Sequence, residues 1–368
     1  MARRIFVTYS PFHVLTACGL ASELGTGLDN ILVFFKDFPD STVYHDAIRE
    51  WRANPFKEIH VMDPGTQYAQ KSLAQRFGFS STKLRLIKQF WNDHVKGKAD
   101  REEIHIFSFN DDTVESQFLY WKNKKERNYY LEDGFSSYYF EPHHKNLVFH
   151  VKKAIRKVFF GSWVERPYPF GTSKKVSRVF SFFPDGVIDA LRSKEIVELK
   201  PGIFERLHDT GLIDILSKRL WIGEVENVDN AAILLFPLSF QLEAMHLDIR
   251  SFTTSLIDML GSSNVKIGNI FLKCHPRETS TIKDRIAAMF PGIRIIENST
   301  SAEILYMLLR NKVKGKIVLV GSYSTAFITA RVILGSQVDI ICVLSTIPRD
   351  TLTPAFIDKM NIKQWKIP

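Results

Sequence analysis

Cysteine is scarce in this sequence: Cys18, Cys274 and Cys342 are the only three in 368 residues. Cysteines so few and so widely spaced exclude a disulfide-stabilised scaffold and indicate free thiols in a reducing compartment. The longest apolar runs, such as residues 317–320, are far shorter than the roughly 20 residues that a membrane-spanning helix needs. The first residues also lack the long apolar core and the cleavage site of a signal peptide. The sequence therefore predicts a soluble protein of the cytoplasm.

Motifs for several common nucleotide and metal sites are missing as well. No Gly-x-Gly-x-x-Gly follows a predicted strand, and the chain has no Walker-type loop, Gly-x-Ser-x-Gly elbow or His-Glu-x-x-His pair. Asp111 and Asp112 follow a strand, but no third acid stands at ligand spacing, so we expect them to cap the next helix. No helix-turn-helix cue, zinc spacing or aromatic-basic RNA motif is present, so nucleic acid is not an expected partner.

Positive charge is concentrated in one part of the chain. The whole sequence carries 49 Lys and Arg against 40 Asp and Glu, a formal net charge of +9. Residues 142–178 contain nine Lys and Arg and a single acid, Glu165, and a second basic stretch covers residues 83–101. Such an excess indicates a negatively charged partner.

Residues 151–160, within the first basic segment, have helical spacing. This spacing places Val151, Ile155, Val158 and Phe159 on one face and the basic residues on the other. The basic face is either an ordinary solvated surface or a docking surface for a polyanion or an anionic membrane. The residues assigned to that surface are Lys152, Lys153, Arg156 and Lys157.

Short apolar strands alternate with helical segments in two series. Strands are predicted at 5–8, 30–35, 58–62, 103–108 and 127–131 and, after a less regular stretch at 162–220, at 231–236, 269–273, 293–296, 316–320 and 339–343. Helices are predicted at 13–24, 41–51, 112–121, 240–260, 281–290, 301–310 and 325–334. Near-continuous apolar strands separated by helices are typical of a parallel sheet covered on both faces. We therefore predict an α/β fold with two doubly wound Rossmann-like domains, 1–225 and 226–368, which face a central cleft, the last helix crossing back.

Ligands of open α/β sheets bind beyond the carboxyl ends of the strands, so polar residues at those ends are candidate site residues. Glu132 and Asp133 stand side by side where a first-domain strand ends at Gly134. Adjacent acids repel, so one of them has a raised pKa that suits a general base. The same residues also suit an ordinary acidic turn with glycine at the positive-φ position.

A histidine ends a buried strand of the second domain. His275 precedes Pro276, and Lys273 and Arg277 add positive charge nearby. A histidine in this position is well placed to meet an anion or a leaving group. It is also compatible with a purely structural role.

Hydroxyl residues follow a second strand of that domain. After Gly321 the chain passes through Ser322, Ser324 and Thr325 into a helix, where free backbone N–H groups and the helix dipole favour a phosphate. An ordinary Ser/Thr cap is the alternative. Glu303, in the first turn of another helix, is either a capping-region acid or an acceptor for ribose hydroxyls of a nucleotide.

The order of these motifs resembles that of bacterial sialyltransferases, in particular the lipooligosaccharide sialyltransferase and capsular polysialyltransferase group. The similarity rests on the Glu132-Asp133-Gly134, His275-Pro276 and Ser322-Tyr323-Ser324-Thr325 signatures, and residues 10–17, starting at Ser10, are similar to the first loop and helix of that group.

The resemblance implies a GT-B fold and a metal-independent, cofactor-free transfer of sialic acid from CMP-sialic acid, with inversion, to an anionic glycan of a capsule or lipooligosaccharide. It implies an acceptor-side first domain and a nucleotide-sugar-binding second domain. Glu132, or alternatively Asp133, would be the catalytic base, and His275 would assist the leaving group. The residues implied to bind the nucleotide sugar are Ser10, His275, Pro276, Glu303, Ser322, Ser324 and Thr325.

One departure from the family pattern bears on the base. In the lipooligosaccharide enzymes the base is expected just after the first strand of the second domain, but residues 236–240 contain no acid and the first is Glu243. This favours the acidic turn as base and the polysialyltransferase arrangement. A transferase of another activated sugar (CMP-Kdo or a UDP- or GDP-sugar) and a non-catalytic polyanion-binding protein stay open, as does peripheral contact with the inner membrane.

Overall fold

The computed structural model describes most of the chain, namely residues 2–25, 27–65, 81–99, 101–123, 127–139, 147–220, 222, 225–237, 242–243, 246–261, 265–275, 278, 280–344 and 351–365. The contacts divide the chain into two compact units. The first unit is Met1–Thr210 with Asp350–Phe356, and the second is Gly211–Arg349 with Ile357–Pro368. The predicted domain boundary at 225/226 lies further along the chain and stays a prediction.

The first unit contains a parallel sheet of seven strands in the order β3-β2-β1-β4-β5-β6-β7. Its strands are β1 (Ala2–Thr8), β2 (Asp29–Phe35), β3 (Glu58–Met62), β4 (Glu103–Ser108), β5 (Asn128–Leu131), β6 (Arg178–Ser181) and β7 (Glu195–Glu198). Its helices are α1 (Pro11–Glu23), α2 (Ser41–Glu50), α3 (Ser81–Phe90), α4 (Lys96–Ala99), α5 (Val114–Lys122), α6 (Leu147–Phe160) and α7 (Gly202–Asp209), with a π-helical turn at Trp91–Val95.

The second unit contains a parallel sheet of six strands in the order β10-β9-β8-β11-β12-β13. Its strands are β8 (Ala231–Phe236), β9 (Ile270–Cys274), β10 (Arg294–Ile296), β11 (Ile317–Ser322), β12 (Val338–Leu344) and β13 (Ile362–Gln364). Its helices are α8 (Leu212–Arg219), α9 (Ile249–Gly261), α10 (Ser280–Met289), α11 (Ala302–Arg310) and α12 (Thr325–Leu334), and α13 (Pro354–Met360) begins in the first unit and ends in the second.

The central strands are buried along nearly their whole length, as the apolar runs predict for a sheet covered on both faces. Helix α1 lies very close to α7 in the first unit. A Cβ added at Gly19 would stand 2.6 Å from the backbone oxygen of Ile203, so this contact requires glycine. The predicted α/β class with two doubly wound parallel sheets is confirmed.

Sequence patterns failed mainly in the stretch predicted to be irregular. Strands β6 and β7 have only four residues each, and Arg178, Glu195 and Glu198 are exposed. No apolar run in the sequence therefore predicts these two strands. The prediction that Asp111 and Asp112 cap α5 is also wrong. Thr113 is the N-cap and accepts the Ser116 N–H at 3.3 Å.

Asp111 instead accepts the N–H groups of Gly171 and Ser173, both at 2.9 Å, and holds that loop against the sheet. Burial raises the pKa of Asp111 to about 7, although these two hydrogen bonds lower it. Among the helices of the described residues, none is long and apolar enough to cross a membrane.

Candidate active site

The acidic turn of the first unit lies at the carboxyl end of β5. Glu132 and Asp133 follow the strand, and a short 3₁₀ turn, Gly134–Ser137, comes next. Gly134 has a φ of 78°, a conformation that favours glycine, so the turn cannot easily take another residue here. The turn lies where open α/β sheets bind ligands.

Glu132 is fully buried and held at one oxygen. Its Oε2 accepts hydrogen bonds from the Tyr138 hydroxyl, from Ser181 Oγ at 3.0 Å and from the Phe182 N–H at 2.8 Å. Its Oε1 is buried and has no hydrogen-bond partner among the described residues. Burial raises the pKa of Glu132 to about 7, although the three donors lower it. This carboxyl can therefore gain or lose a proton near neutral pH.

The network around Glu132 is rigid. Tyr138 stacks on Phe356, with ring centroids 4.3 Å apart and planes inclined by 18°. Its hydroxyl also lies 2.9 Å from Ser181 Oγ and accepts the Phe183 N–H at 3.2 Å. Buried donors on three sides fix the orientation of the carboxylate, as catalytic groups require.

Asp133 is paired with His13, which stands 120 residues earlier in the sequence. Its Oδ1 lies 2.8 Å from Nε2 of His13, and its side chain is 27% exposed, whereas that of Glu132 is fully buried. The Tyr9 N–H donates a hydrogen bond to Nδ1 of His13 at 3.3 Å, so the ring proton is on Nε2. The Nε2–H group in turn donates a hydrogen bond to Asp133. His13 also stacks on Phe109 at 4.1 Å.

His13 is a site residue that sequence reasoning missed. It lies in the 10–17 segment that supports the family resemblance, but only Ser10 was assigned a role there. Ser10 is the N-cap of α1, and its Oγ accepts the His13 N–H at 3.3 Å. The tertiary structure brings the first loop and the acidic turn together across 120 residues of sequence.

In the second unit, two of the predicted motifs lie at the same edge of the sheet. His275 directly follows β9 and Ser322 ends β11, and β8 is the single strand between them. Because all these strands are parallel, their carboxyl ends meet at one edge. Pro276 and Arg277 lie outside the described residues.

The start of α12 offers free donors. Ser324 is its N-cap, but the side chain makes no capping bond, and Ser324 Oγ is buried without a hydrogen-bond partner among the described residues. Thr325 begins the helix, and the strand register shifts between Gly321 and Ser322. A helix N-terminus with a free hydroxyl is suited to bind an anion.

Two buried charged groups belong to the same unit. Lys273 on β9 is 7% exposed, and its Nζ has no hydrogen-bond partner among the described residues. Burial lowers the pKa of Lys273 to about 8, against the opposing charge of Glu303. Glu303 is itself buried in the first turn of α11, where its Oε1 accepts the Thr329 hydroxyl at 2.9 Å.

The basic helix α6 differs from the prediction. Its apolar residues are exposed, Val158 at 84% and Phe159 at 72%, whereas Arg156 is only 6% exposed. Arg156 Nη1 lies 2.6 Å from Asp112 Oδ1, and this ion pair holds the residue against the first unit. The assignment of Arg156 to an exposed polyanion surface is therefore wrong. Lys157 is exposed, and the side chains of Lys152 and Lys153 lie outside the described set.

Comparison with solved structures places the fold. The chain is similar to a sialyltransferase from Photobacterium damsela, with 12% identity, a TM-score of 0.53 and coverage of 99% of this chain and 81% of that one. It is also similar to the UDP-GlcNAc 2-epimerase from Methanocaldococcus jannaschii, with 12% identity, a TM-score of 0.55 and coverage of 100% and 89%. The UDP-GlcNAc 2-epimerase from Neisseria meningitidis bound to UDP-GlcNAc gives 8% identity, a TM-score of 0.52 and coverage of 100% and 87%.

At such low identity these similarities show the fold alone, which is that of the GT-B glycosyltransferases and related epimerases. No curated protein sequence matches this chain significantly. At the family level, the sequence matches the family described as alpha-2,8-polysialyltransferase (POLYST) over residues 4–343. That range includes the acidic turn, the histidine after β9 and the hydroxyl turn at α12. The chain therefore belongs to the alpha-2,8-polysialyltransferase family and is a sialyltransferase.

Proposed function

We propose that this sialyltransferase uses CMP-sialic acid as its donor and transfers sialic acid, with inversion, to the end of an anionic glycan such as a growing polysialic acid chain of a capsule or lipooligosaccharide. The observation that carries the proposal is Glu132, a buried carboxyl at a strand end with a pKa of about 7 and one oxygen that has no hydrogen-bond partner in the part of the chain that the structure describes. A strongly perturbed acid in this position is typical of a catalytic group.

In the proposed reaction, an acceptor hydroxyl attacks C2 of the donor sialic acid while the bond from C2 to the CMP phosphate breaks. Oε1 of Glu132 takes the proton of the hydroxyl, and CMP leaves as an anion. Oε1 is buried in this structure, so acceptor binding has to move the side chains that cover it. Asp133, held by His13 at the exposed side of the turn, orients the acceptor.

The second unit supplies the groups that suit the leaving phosphate. His275, the Ser324 hydroxyl and the N–H groups at the start of α12 would bind it, and Ser322 and Thr325 would shape the pocket, together with Pro276, which lies outside the described residues. Glu303, whose Oε1 accepts the Thr329 hydroxyl, would contact the ribose. In this proposal donors and positive charge stabilise the phosphate, so the transfer step uses no metal ion or cofactor.

The surface of α6 suits contact with an anionic partner. Val158 and Phe159 are exposed beside Lys157, and a helix with exposed apolar and basic side chains is typical of peripheral membrane contact. We propose that this surface faces either the acceptor polymer or the cytoplasmic face of the inner membrane, where such glycans are assembled.

The test is donor turnover by the purified chain. CMP-sialic acid with a short oligosialic acid acceptor should yield free CMP and longer oligomers, and a chelator should leave the rate unchanged. CMP-Kdo, UDP-sugars and GDP-sugars serve as controls. Turnover of another donor but not of CMP-sialic acid would overturn the choice of donor. An absolute requirement for a divalent ion would overturn the metal-independent mechanism.

A further inference from the structure

A group of three metal-ligand side chains lies on the first unit, apart from the acidic turn. Glu58 and His60 are on β3, and His94 is in the π-helical turn that follows α3. One ligand atom from each lies within 4.8 Å of the other two, and all three side chains are half-buried. Among the residues that the structure describes, no other such group of three is found.

The contacts within this group are already close. His60 Nε2 lies 2.9 Å from Glu58 Oε2, and the rings of His60 and His94 have centroids 4.1 Å apart. Phe90 packs against both rings, with centroids 4.9 Å from His60 and 5.7 Å from His94. The aromatic contact restricts the two imidazoles, so only small rotations separate this arrangement from a metal site.

The local backbone supports the same conclusion. Helical π turns insert an extra residue, and they occur frequently at functional sites. Here the turn Trp91–Val95 is anchored by its buried ends, and His94 lies between them. Strand β3 is at the edge of the sheet, so a metal ion would tie an edge strand to the segment beside it.

The contacts of Glu58 leave one of its carboxylate oxygens available to bind a metal ion. Arg3 lies 3.7 Å from Glu58 Oε1, but it also pairs with Glu102 at 2.6 Å. Oε2 of Glu58, the oxygen facing His60, is therefore the ligand atom.

We propose that Glu58, His60 and His94 form a zinc site that stabilises the edge of the first sheet. Two imidazole nitrogens and one carboxylate oxygen are a common zinc donor set, and a water completes the tetrahedron. Zinc bonds of about 2.0–2.1 Å place ligand atoms roughly 3.4 Å apart. The His60 Nε2 and Glu58 Oε2 atoms, now 2.9 Å apart, would therefore have to separate slightly, and His94, whose ligand atom lies within 4.8 Å of both, would have to approach them. Three strands, β2, β1 and β4, separate the site on β3 from β5, and the site takes no part in the proposed transfer step.

The chain offers a matched control. Strand β4 carries the same Glu-Ile-His sequence, with Glu103 and His105, and His105 Nε2 lies 3.2 Å from Glu103 Oε1. His105 bonds the Tyr129 hydroxyl at 2.9 Å, and no third ligand is grouped with this pair among the described residues. A His105→Ala variant therefore removes a histidine from the same setting without touching the proposed site.

The test is zinc binding by the full chain without a polyhistidine tag. The wild type and His105→Ala should bind one zinc ion per chain by calorimetry, and zinc at about 100 times its Kd should raise Tm by roughly 5 °C. His60→Ala and His94→Ala should each weaken binding at least tenfold and abolish the Tm rise.

Circular dichroism checks that the variants are folded, and His94→Ala is the safer of the two because His94 lies in a helical turn rather than in a strand of the sheet. Zinc that binds equally to the wild type and to both variants, or no zinc binding by the wild type, would overturn the proposal. The transfer rate in chelator is measured in parallel, and its loss would count against the proposed function rather than against the zinc site.

Discussion

Replacing the two acids of the turn one at a time decides which of them is the base. Glu132→Gln keeps the size of the side chain but removes the proton acceptor. We expect kcat/KM to fall by roughly 10²–10⁴, the usual contribution of a general base, which corresponds to about 3–5 kcal/mol of barrier. Asp133→Asn keeps an oxygen that accepts the His13 bond, so we expect it to lose less than about tenfold.

The pH dependence gives a second, independent signature of Glu132. The base acts when deprotonated, and the pKa of Glu132 is raised by burial to about 7. In the wild type, kcat/KM for CMP release should therefore fall as pH drops through 7, to roughly a tenth of its plateau one unit below. A profile that stays flat down to about pH 5.5 would count against Glu132 as the base.

The assay is initial-rate CMP release over pH 5.5–9 with the donor well below its KM. Calorimetric titration with CMP controls for folding and donor binding in each variant. Near-normal turnover by Glu132→Gln, together with inactivity of Asp133→Asn, would refute the choice of Glu132 and assign the base to Asp133. Activity in both variants would refute the acidic turn as the source of the base.

The same carboxyl makes folding stability depend on pH. Because the pKa of Glu132 is raised from 4.5 to about 7, the folded state holds more protons than the unfolded state between those values. Stability should therefore fall as pH rises from about 4.5 to 7, by at most about 3.5 kcal/mol at 1.4 kcal/mol per pKa unit. Glu132→Gln should flatten this slope in urea titrations, and Asp111, whose pKa is also raised to about 7, should leave a residual slope. An unchanged slope would contradict the burial of Glu132.

Three further outcomes test other parts of the structure. Gly19→Ala should lower the free energy of unfolding by about 1–3 kcal/mol because the added Cβ meets the α7 backbone. Gly27→Ala, whose Cβ would have nothing within 4 Å, should leave it unchanged, and equal urea midpoints for the two variants would contradict the close packing. Ser324→Ala should raise the Kd for CMP roughly tenfold through loss of one charge-assisted hydrogen bond, and an unchanged Kd in calorimetry would place the phosphate elsewhere. The Val158→Ser and Phe159→Ser pair should reduce sedimentation with anionic vesicles while short acceptors still react; unchanged sedimentation would exclude α6 as the contact.

Local sequence patterns predicted most of the strands, because a buried parallel strand must be apolar throughout and its neighbours must be helices. Helix α12 was predicted with its observed bounds, since the hydroxyl residues mark its start and Gly335 its end. Strands β6 and β7 were not found, because four-residue strands with exposed ends carry no periodic signal. The order of the motifs resembled that of the family, and the family match over residues 4–343 confirms the resemblance.

The direction in which α6 faces was beyond sequence reasoning. Periodicity shows that a helix has two faces, but not which one meets the protein. Here Arg156 turns inward because Asp112 offers an ion pair, and Val158 and Phe159 are left exposed. A local pattern cannot anticipate a partner 44 residues away.

The sequence by itself determined the order of most strands, though not β6 and β7, and the residue types at the strand ends, because both follow from local burial and turn chemistry. Only the tertiary structure decided that Glu132 is buried with one oxygen lacking a hydrogen-bond partner among the residues described, and that His13 holds Asp133. It also decided that His94 joins Glu58 and His60. Each of these depends on contacts between segments far apart in the chain, and it is those contacts that set the burial, pairing and pKa of a side chain.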